Sequence, residues 1–170
     1  MNRNDKVLET ISELRQGAYQ LINRLDEIQK RIESGEELTF DETALSIPLS
    51  ASPHVFKGKK PTAVTMPDGQ TIPITTWKSL AATILKDCAS DESRRGKMKS
   101  LCGIVAGRQR YVLSTSPSDM DVPLKVDEGL YFEGKFDTEY LIKMMTQRIF
   151  QYVGYDYNRI IVTIHPTRLT

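Results

Sequence analysis

Apolar residues recur along the first 32 residues at alternating steps of four and three, with polar residues between them. This spacing is that of a heptad repeat, whose a and d positions form one narrow face of an α-helix. From Val7 to Ile32 all eight a and d positions are apolar, and we call this set the heptad seam: Val7, Ile11, Leu14, Ala18, Leu21, Leu25, Ile28 and Ile32. Because a helix must bury such a stripe, the pattern predicts an oligomerisation helix over residues 1–35.

The positions beside the seam leave the kind of assembly open. The e and g positions, which pair across a coiled coil, hold no complementary set of charges. Leu8 and Ile22 at e widen the apolar face, whereas Gly17 and Ala18 make a thin point near its middle. A parallel dimer, an antiparallel pair, a larger bundle and packing on the chain's own globular part all remain compatible with the pattern.

The rest of the chain divides into a short linker and a globular domain. Proline, serine and glycine interrupt the regular patterns over residues 36–53, which predicts a linker. Residues 54–170 carry strand and helix patterns in close succession, starting with Asp68-Gly69 between two β-rich runs, a strong hairpin signal. This stretch is predicted to fold as one domain.

Within that domain, changes of period predict the element order ββααββαβ. Apolar residues at helical spacing predict helices over 77–88, 92–106 and 138–153, and β-rich runs predict strands over 63–66, 71–74, 110–115, 124–133 and 160–164. The last run is apolar at nearly every position, which is typical of a central strand, whereas Pro73 is typical of an edge strand. The predicted fold class is α+β: a long N-terminal coiled-coil-like helix followed by a small layered domain.

Composition narrows the class of protein. The chain is 39% hydrophobic and 26% charged, as expected for a folded, water-soluble protein. It has no apolar run long enough to cross a membrane, and its first residues do not form a secretory signal. The two cysteines, Cys88 and Cys102, fall at apolar positions of predicted helices, as free thiols in a reducing compartment would. We therefore expect a cytoplasmic protein without a membrane partner.

Charge is unevenly distributed, and its basic part is a candidate nucleic-acid interface. Residues 1–53 carry 6 Lys and Arg against 10 Asp and Glu, whereas residues 54–110 carry 11 against 4. We call six cations of the middle region the basic segment: Arg94, Arg95, Lys97, Lys99, Arg108 and Arg110. Such a run can follow a phosphate backbone, but a solvated helix face or contact with the acidic first helix explains it equally well.

A second candidate site has the layout of the PD-(D/E)xK nucleases. Asp119 or Asp121 precedes Glu133-Gly134-Lys135 at the end of a predicted strand. In that chemistry two carboxylates hold a divalent metal and a lysine orients the attacking water. A solvated strand end has the same residues, so the pattern supports the enzyme only as an alternative.

No other residues indicate a cofactor or a metal. His54 and His165 are the only histidines, and neither has a neighbour at ligand spacing. There is no glycine-rich phosphate loop and no Gly-x-Ser-x-Gly elbow. We predict no cofactor and no metal.

Two stretches of the globular domain together resemble known proteins. One is PDGQTIPITTWKSLAATIL, and the other is RYVLS followed by EGLYFEGKFDTEYLIKMMTQRIFQYVGYD and IIVTI. Over about residues 60–165 they resemble a small, poorly characterised α+β domain of bacterial, phage and mobile-element proteins, sometimes joined to restriction or defence components. The resemblance implies an accessory, binding or regulatory module and transfers no active-site residue.

Taken together, the patterns predict a non-enzymatic, homo-oligomeric interaction or regulatory protein, and the resemblance implies that it belongs to a bacterium, phage or mobile element. The N-terminal helix would assemble it, and the α+β domain would bind a partner protein or nucleic acid. Direct nucleic-acid binding through the basic segment and a metal-dependent nuclease are the alternatives.

Overall fold

The computed structural model describes residues 3–38, 44–106 and 110–166 of the chain. It separates into two compact units, Met1–Ser46 and Ile47–Thr170. A long N-terminal helix is followed by small antiparallel sheets and further helices, so the protein belongs to the α+β class.

The first unit consists mainly of helix α1, Arg3–Glu33. Its 31 residues extend over about 45 Å at 1.5 Å per residue. The helix ends in a Schellman motif, in which the Gly35 N–H donates to the Ile32 carbonyl and the Glu36 N–H donates to the Arg31 carbonyl, both at 3.0 Å. Gly35 adopts the left-handed conformation that this ending requires, with φ of +80°. The helix and its end match the sequence prediction.

The main sheet has four strands in the order β1-β9-β2-β3. They are β1 Leu45–Pro48, β2 Lys59–Thr65, β3 Thr71–Pro73 and β9 Ile161–Pro166. β2 and β3 form the predicted hairpin, and β3 with its proline lies at the edge. β9 lies between β1 and β2 and buries Val162 and Ile164. β1 falls inside the segment that the sequence assigns to a linker.

Two smaller sheets replace the two long strands predicted over 110–115 and 124–133. The two-stranded sheet pairs β4, Val105–Ala106, with β5, Arg110–Tyr111. The three-stranded sheet has the order β6-β8-β7, with β6 Leu113–Ser114, β7 Pro123–Asp127 and β8 Leu130–Glu133. The second predicted strand is a hairpin, because Gly129 takes a φ of +62° and turns the chain. The first is divided at Val112, whose N–H donates to Ile104 and whose carbonyl accepts from Glu133.

Besides two single-turn 3-10 helices, Pro53–Phe56 and Pro117–Asp119, the described part of the second unit contains three longer helical stretches. α2, Trp77–Ala89, starts with a capping box of Thr76 and Ser79. α3, Glu92–Ser100, starts at the cap Asp91 and stops six residues before the predicted end at 106. It stops early because Gly103 takes a φ of +86° and donates its N–H to the Leu113 carbonyl at 3.0 Å.

The last helical stretch changes its winding along its length. α4, Thr138–Lys143, continues into a π-helical segment, Met144–Phe150, and then into α5, Gln151–Val153. Gly154 ends it in the left-handed conformation, with φ of +73°. The predicted order ββααββαβ therefore places the helices correctly but lacks β1 and the division of the later strands.

The core of the second unit forms where α2 packs on β2 and β7. Leu80 and Ile84 of α2 are completely buried there. At the start of α2, the Trp77 indole N–H donates to the Lys59 carbonyl at 2.9 Å, and its ring meets Phe56 edge-on with centroids 5.6 Å apart. These contacts hold α2 against the main sheet.

Candidate functional site

The heptad seam is an exposed apolar stripe on α1. Its large side chains with the greatest exposure, 43% to 59%, are Val7, Ile11, Leu14, Leu25 and Ile32. Leu8 and Ile22, beside the seam, are 64% and 51% exposed. Single exposed aliphatic residues are ordinary, but a contiguous row of them along one helix face marks an interaction surface.

Several polar side chains in the second half of α1 have partners within the same unit. An Arg24 guanidinium nitrogen lies 3.2 Å from the Glu27 carboxylate, and the Gln29 amide donates to Glu33 at 2.7 Å. Arg31 donates through Nε to Glu36 at 2.8 Å. These charged groups are therefore compensated within the unit, whereas the exposed seam is apolar.

Two members of the basic segment hold the corner between α2 and α3. Arg94 Nε donates to the Cys88 carbonyl at 2.9 Å, and Arg95 donates to the Ala89 carbonyl at 3.3 Å. Arg95 Nε also lies 3.3 Å from an Asp127 carboxylate oxygen. Both arginines thus satisfy carbonyl groups at the end of α2, where a helix leaves acceptors unpaired and favours positive charge.

The other members of the basic segment are two lysines of α3 and two arginines that follow it in the chain. Lys97 and Lys99 are exposed on α3. Arg108 lies outside the described residues, and Arg110 contributes backbone pairing in β5. The structure therefore separates the predicted nucleic-acid site into two structural arginines and two exposed lysines on the same helix.

The same corner contains a buried tyrosine and a buried thiol. The Tyr155 hydroxyl donates to the Asp87 carboxylate at 2.6 Å, and the Arg94 guanidinium carbon lies 5.4 Å from the centre of the tyrosine ring. Burial, and then the bond to Asp87, raise the pKa of Tyr155. Burial raises the pKa of the Cys88 thiol to about 12, against the opposing effect of Arg94. Both groups are protonated at neutral pH, so this thiol is not an activated nucleophile.

The carboxylate proposed as a nuclease ligand, Glu133, is a buried acceptor of backbone hydrogen bonds. It is 1% exposed, and it accepts from the N–H groups of Asp121 at 2.8 Å, Val122 at 3.0 Å and Lys135 at 2.8 Å. These bonds connect the end of β8 to the chain that enters β7. Sequence reasoning selected this residue for its charge, and its position shows that the charge serves the local backbone.

The remaining members of that constellation lie close by but have other partners. The Lys135 ammonium is 3.1 Å from the Asp121 carboxylate, and Asp119 accepts from the buried Ser114 hydroxyl at 2.6 Å. Within residues 3–38, 44–106 and 110–166, no group of three or more His, Cys, Asp or Glu side chains is arranged to hold a metal ion. The structure brings Asp121, Glu133 and Lys135 together as a hydrogen-bonded strand end.

Histidines and cysteines are not grouped in the described chain. His54 is exposed and lies 3.4 Å from the Glu139 carboxylate, whereas His165 is buried in β9. Cys88 and Cys102 are both free thiols. The sequence predicts Cys102 within a helix, but in the structure this residue follows the end of α3. Its side chain is half-buried.

The π-helical segment and two cavities beside it were not predicted from the sequence. The Tyr152 cavity has a volume of about 340 Å³ and is lined by Leu101, Ile104, Val112, Leu113, Gln147, Arg148, Ile149 and Tyr152. The Tyr157 cavity has a volume of about 320 Å³ and is lined by Leu49, Ser50, Ala51, Ser52, Pro53, Thr146, Gln147, Gln151 and Tyr157. Wider turns of this kind recur at functional sites. The one available signal was Thr146, a polar residue on the buried helix face, whose hydroxyl donates to the Ile142 carbonyl at 2.8 Å.

The Tyr152 cavity is the better candidate for binding. Its lining is mainly aliphatic, and two of the lining residues are exposed, Tyr152 at 56% and Ile104 at 37%. Gln147 and Arg148 are exposed polar residues in the same lining. An apolar recess with a few polar groups beside it is typical of sites that receive a ligand or a side chain of a partner.

Comparisons with known proteins yield no relative: no family model matches the chain, and neither the characterised proteins nor the solved structures include a match. Among the described residues, no helix is both long enough and apolar enough to span a membrane.

Proposed function

We propose that the protein is a non-enzymatic, self-associating interaction protein of a bacterium, phage or mobile element. α1 assembles copies of the chain through the heptad seam, and the α+β unit binds a partner protein. The observation that carries the proposal is the unbroken, exposed seam on α1. The assignment to bacterial or mobile-element proteins rests on the resemblance of residues 60–165.

An energetic estimate supports self-association through this surface. Each copy offers seven large aliphatic seam residues. Full burial of one such side chain contributes about 1.5–3 kcal/mol, so burying the exposed half contributes about 1 kcal/mol. Two copies together gain on the order of 14 kcal/mol, against an association cost of about 4–15 kcal/mol. We therefore expect an assembly whose population depends on protein concentration.

Partner binding is assigned to the Tyr152 cavity. Tyrosine is enriched at protein interfaces, and Tyr152 and Ile104 expose apolar surface around an aliphatic recess. Arg148 adds a positive charge beside this surface. This chemistry fits a protein segment that presents an apolar side chain next to a carboxylate.

Sedimentation equilibrium tests the self-association. In the full chain, Leu14→Glu places a charge in the middle of the seam and should convert the assembly to monomer, because a buried, unpaired carboxylate is strongly unfavourable. Gln16→Glu is the matched control, since it adds the same charge on the opposite face of α1 and should leave the assembly unchanged. A wild-type chain that stays monomeric over a roughly hundredfold range of protein concentration would refute the proposal.

A further inference from the structure

We infer that two copies of α1 pair antiparallel, with Ala18 of one copy opposite Leu21 of the other. The inference rests on the proposed self-association. It adds the number of copies, two, and the orientation and register in which their helices pair. It is argued from the order of large, small and β-branched residues along the seam.

A parallel pair would place each seam residue against its own copy. Ala18 would then face Ala18, leaving a void between the larger layers formed by Leu14 and Leu21. The second half of the seam also has Leu25 at a and Ile28 at d, the reverse of the arrangement that favours parallel dimers. The parallel arrangement is therefore poorly packed at its middle and unfavourable toward its C-terminal end.

An antiparallel pair places a positions against d positions, and one register uses the whole seam. Its outer layers pair Val7 with Ile32 and Ile11 with Ile28. Its inner layers pair Leu14 with Leu25 and Ala18 with Leu21. β-branched residues thus meet β-branched residues, leucine meets leucine, and the small residue meets a large one. The twofold axis passes between residues 19 and 20.

Neighbouring antiparallel registers leave part of the seam uncovered. A shift by one heptad toward the N-terminus puts Ile28 opposite Asn4 and leaves Ile32 beyond the start of the partner helix. A shift the other way leaves Val7 and Ile11 without apolar partners. Because uncovered aliphatic surface costs free energy, the register about residues 19 and 20 is the favoured one.

The flanking positions accept this register without conflict. At the g positions Gly17 lies opposite Arg24, where the missing side chain leaves room for the long guanidinium group. Thr10 lies opposite Arg31, and at the e positions Leu8 faces Gln29. No flanking pair brings two like charges together.

The surface is large enough for a specific dimer. Each copy contributes the exposed halves of seven large aliphatic residues. For the two copies together this amounts to roughly 600 Å² of apolar surface. At the apolar share usual for interfaces this corresponds to about 1,000 Å² in total, the lower bound for a specific interface. Leu8 and Ile22 add to it from the e positions.

Cysteine cross-linking of the full chain tests the orientation. Val7→Cys and Ile32→Cys are made separately in a Cys102→Ser background, which retains the fully buried Cys88. After mild oxidation, neither variant alone should give a cross-linked dimer. An equal mixture should give a dimer linked between positions 7 and 32, in up to about half of the molecules, because that fraction of the dimers is mixed.

Gln16→Cys and Asn23→Cys are the matched control pair. They are related by the same twofold axis but lie on the outer face of α1, so their mixture should not cross-link. Cross-linking of Val7→Cys alone or of Ile32→Cys alone would overturn the inference in favour of a parallel arrangement. If the mixture fails to cross-link while sedimentation shows a dimer, the register is wrong and self-association stands. If sedimentation shows a monomer, the proposed function itself fails.

Discussion

At the end of β8, a single buried carboxylate organises the backbone of two neighbouring segments. Both oxygens of Glu133 accept backbone N–H groups, one from Asp121 and one shared by Val122 and Lys135. Backbone donors that are buried without a partner are costly, so this side chain replaces pairing that the irregular approach to β7 lacks. A residue that looks catalytic in the sequence is thus part of the fold.

Replacing Glu133 by glutamine should lower the free energy of unfolding by about 1–3 kcal/mol, because the amide turns one acceptor into a donor that faces an N–H group. Urea denaturation of the full chain measures this change. Glu128→Gln is the control: Glu128 is exposed and bonds Lys125 at 2.9 Å, so its replacement should change stability by at most ~0.5 kcal/mol. Equal stabilities of wild type and Glu133→Gln would contradict the assigned role.

At the scale of elements, the corner between α2 and α3 holds the helical layer together. Arg94 of α3 caps the end of α2 and lies over the Tyr155 ring, which in turn bonds Asp87 of α2. Cys88 is fully buried within this corner. The neighbouring charged groups are Asp87, Asp91 and Arg94, and burial dominates over all of them in raising the pKa of the thiol.

This corner should make the protein sensitive to alkali. The pKa of Cys88 is raised from 9.0 to about 12 in the folded chain, so its contribution to stability is complete below pH 9 and is lost as the pH rises toward 12. In Cys88→Ala, the fall in unfolding free energy with pH above 9 should be less steep by up to ~1.4 kcal/mol per pH unit. Urea denaturation at a series of pH values measures the slope.

Cys102→Ala is the comparison for this slope. Cys102 is half-buried, and the pKa of its thiol is raised by burial and lowered by Lys99, so its replacement should change the slope less. Identical slopes for wild type and Cys88→Ala would show that the Cys88 thiol has the same pKa in the folded and the unfolded chain, so that burial does not raise it. Tyr155, whose pKa is also raised, should keep some pH dependence above pH 10 in every variant.

At the scale of the whole molecule, the proposed function divides assembly and partner binding between the two units. The first unit exposes an aliphatic seam along one helix, and the second contains the packed core and the Tyr152 cavity. If assembly and partner binding are divided in this way, each can be removed without the other.

Capture of proteins from the native host tests that division. Tyr152→Glu should lose a partner that wild type retains, while sedimentation of the variant still shows the assembly. Leu14→Glu should be monomeric in sedimentation but still capture the same partner. Its avidity for that partner should be lower, because a monomer offers a single binding surface. A partner that is lost with Leu14→Glu and kept with Tyr152→Glu would place the binding surface on α1 instead.

Features that depend on neighbouring residues could be predicted from the sequence. The heptad period, the Asp-Gly hairpin and the helical spacing of apolar residues are local signals, since each acts within a few turns of chain. They were sufficient for the α+β class and for the positions of α1, α2 and the last helical stretch.

Where distant segments meet could not be predicted, because it depends on contacts that form only in the folded chain. β1 became a strand because β9 was there to pair with it, and Val112 divides two strands because its N–H and carbonyl bond to separate segments. The π-helical segment has no pattern of its own, and the roles of Glu133 and Arg94 follow from backbone groups brought to them by the fold. The type of a side chain determines which bonds it can form. Which partners it meets depends on contacts between residues far apart in the chain.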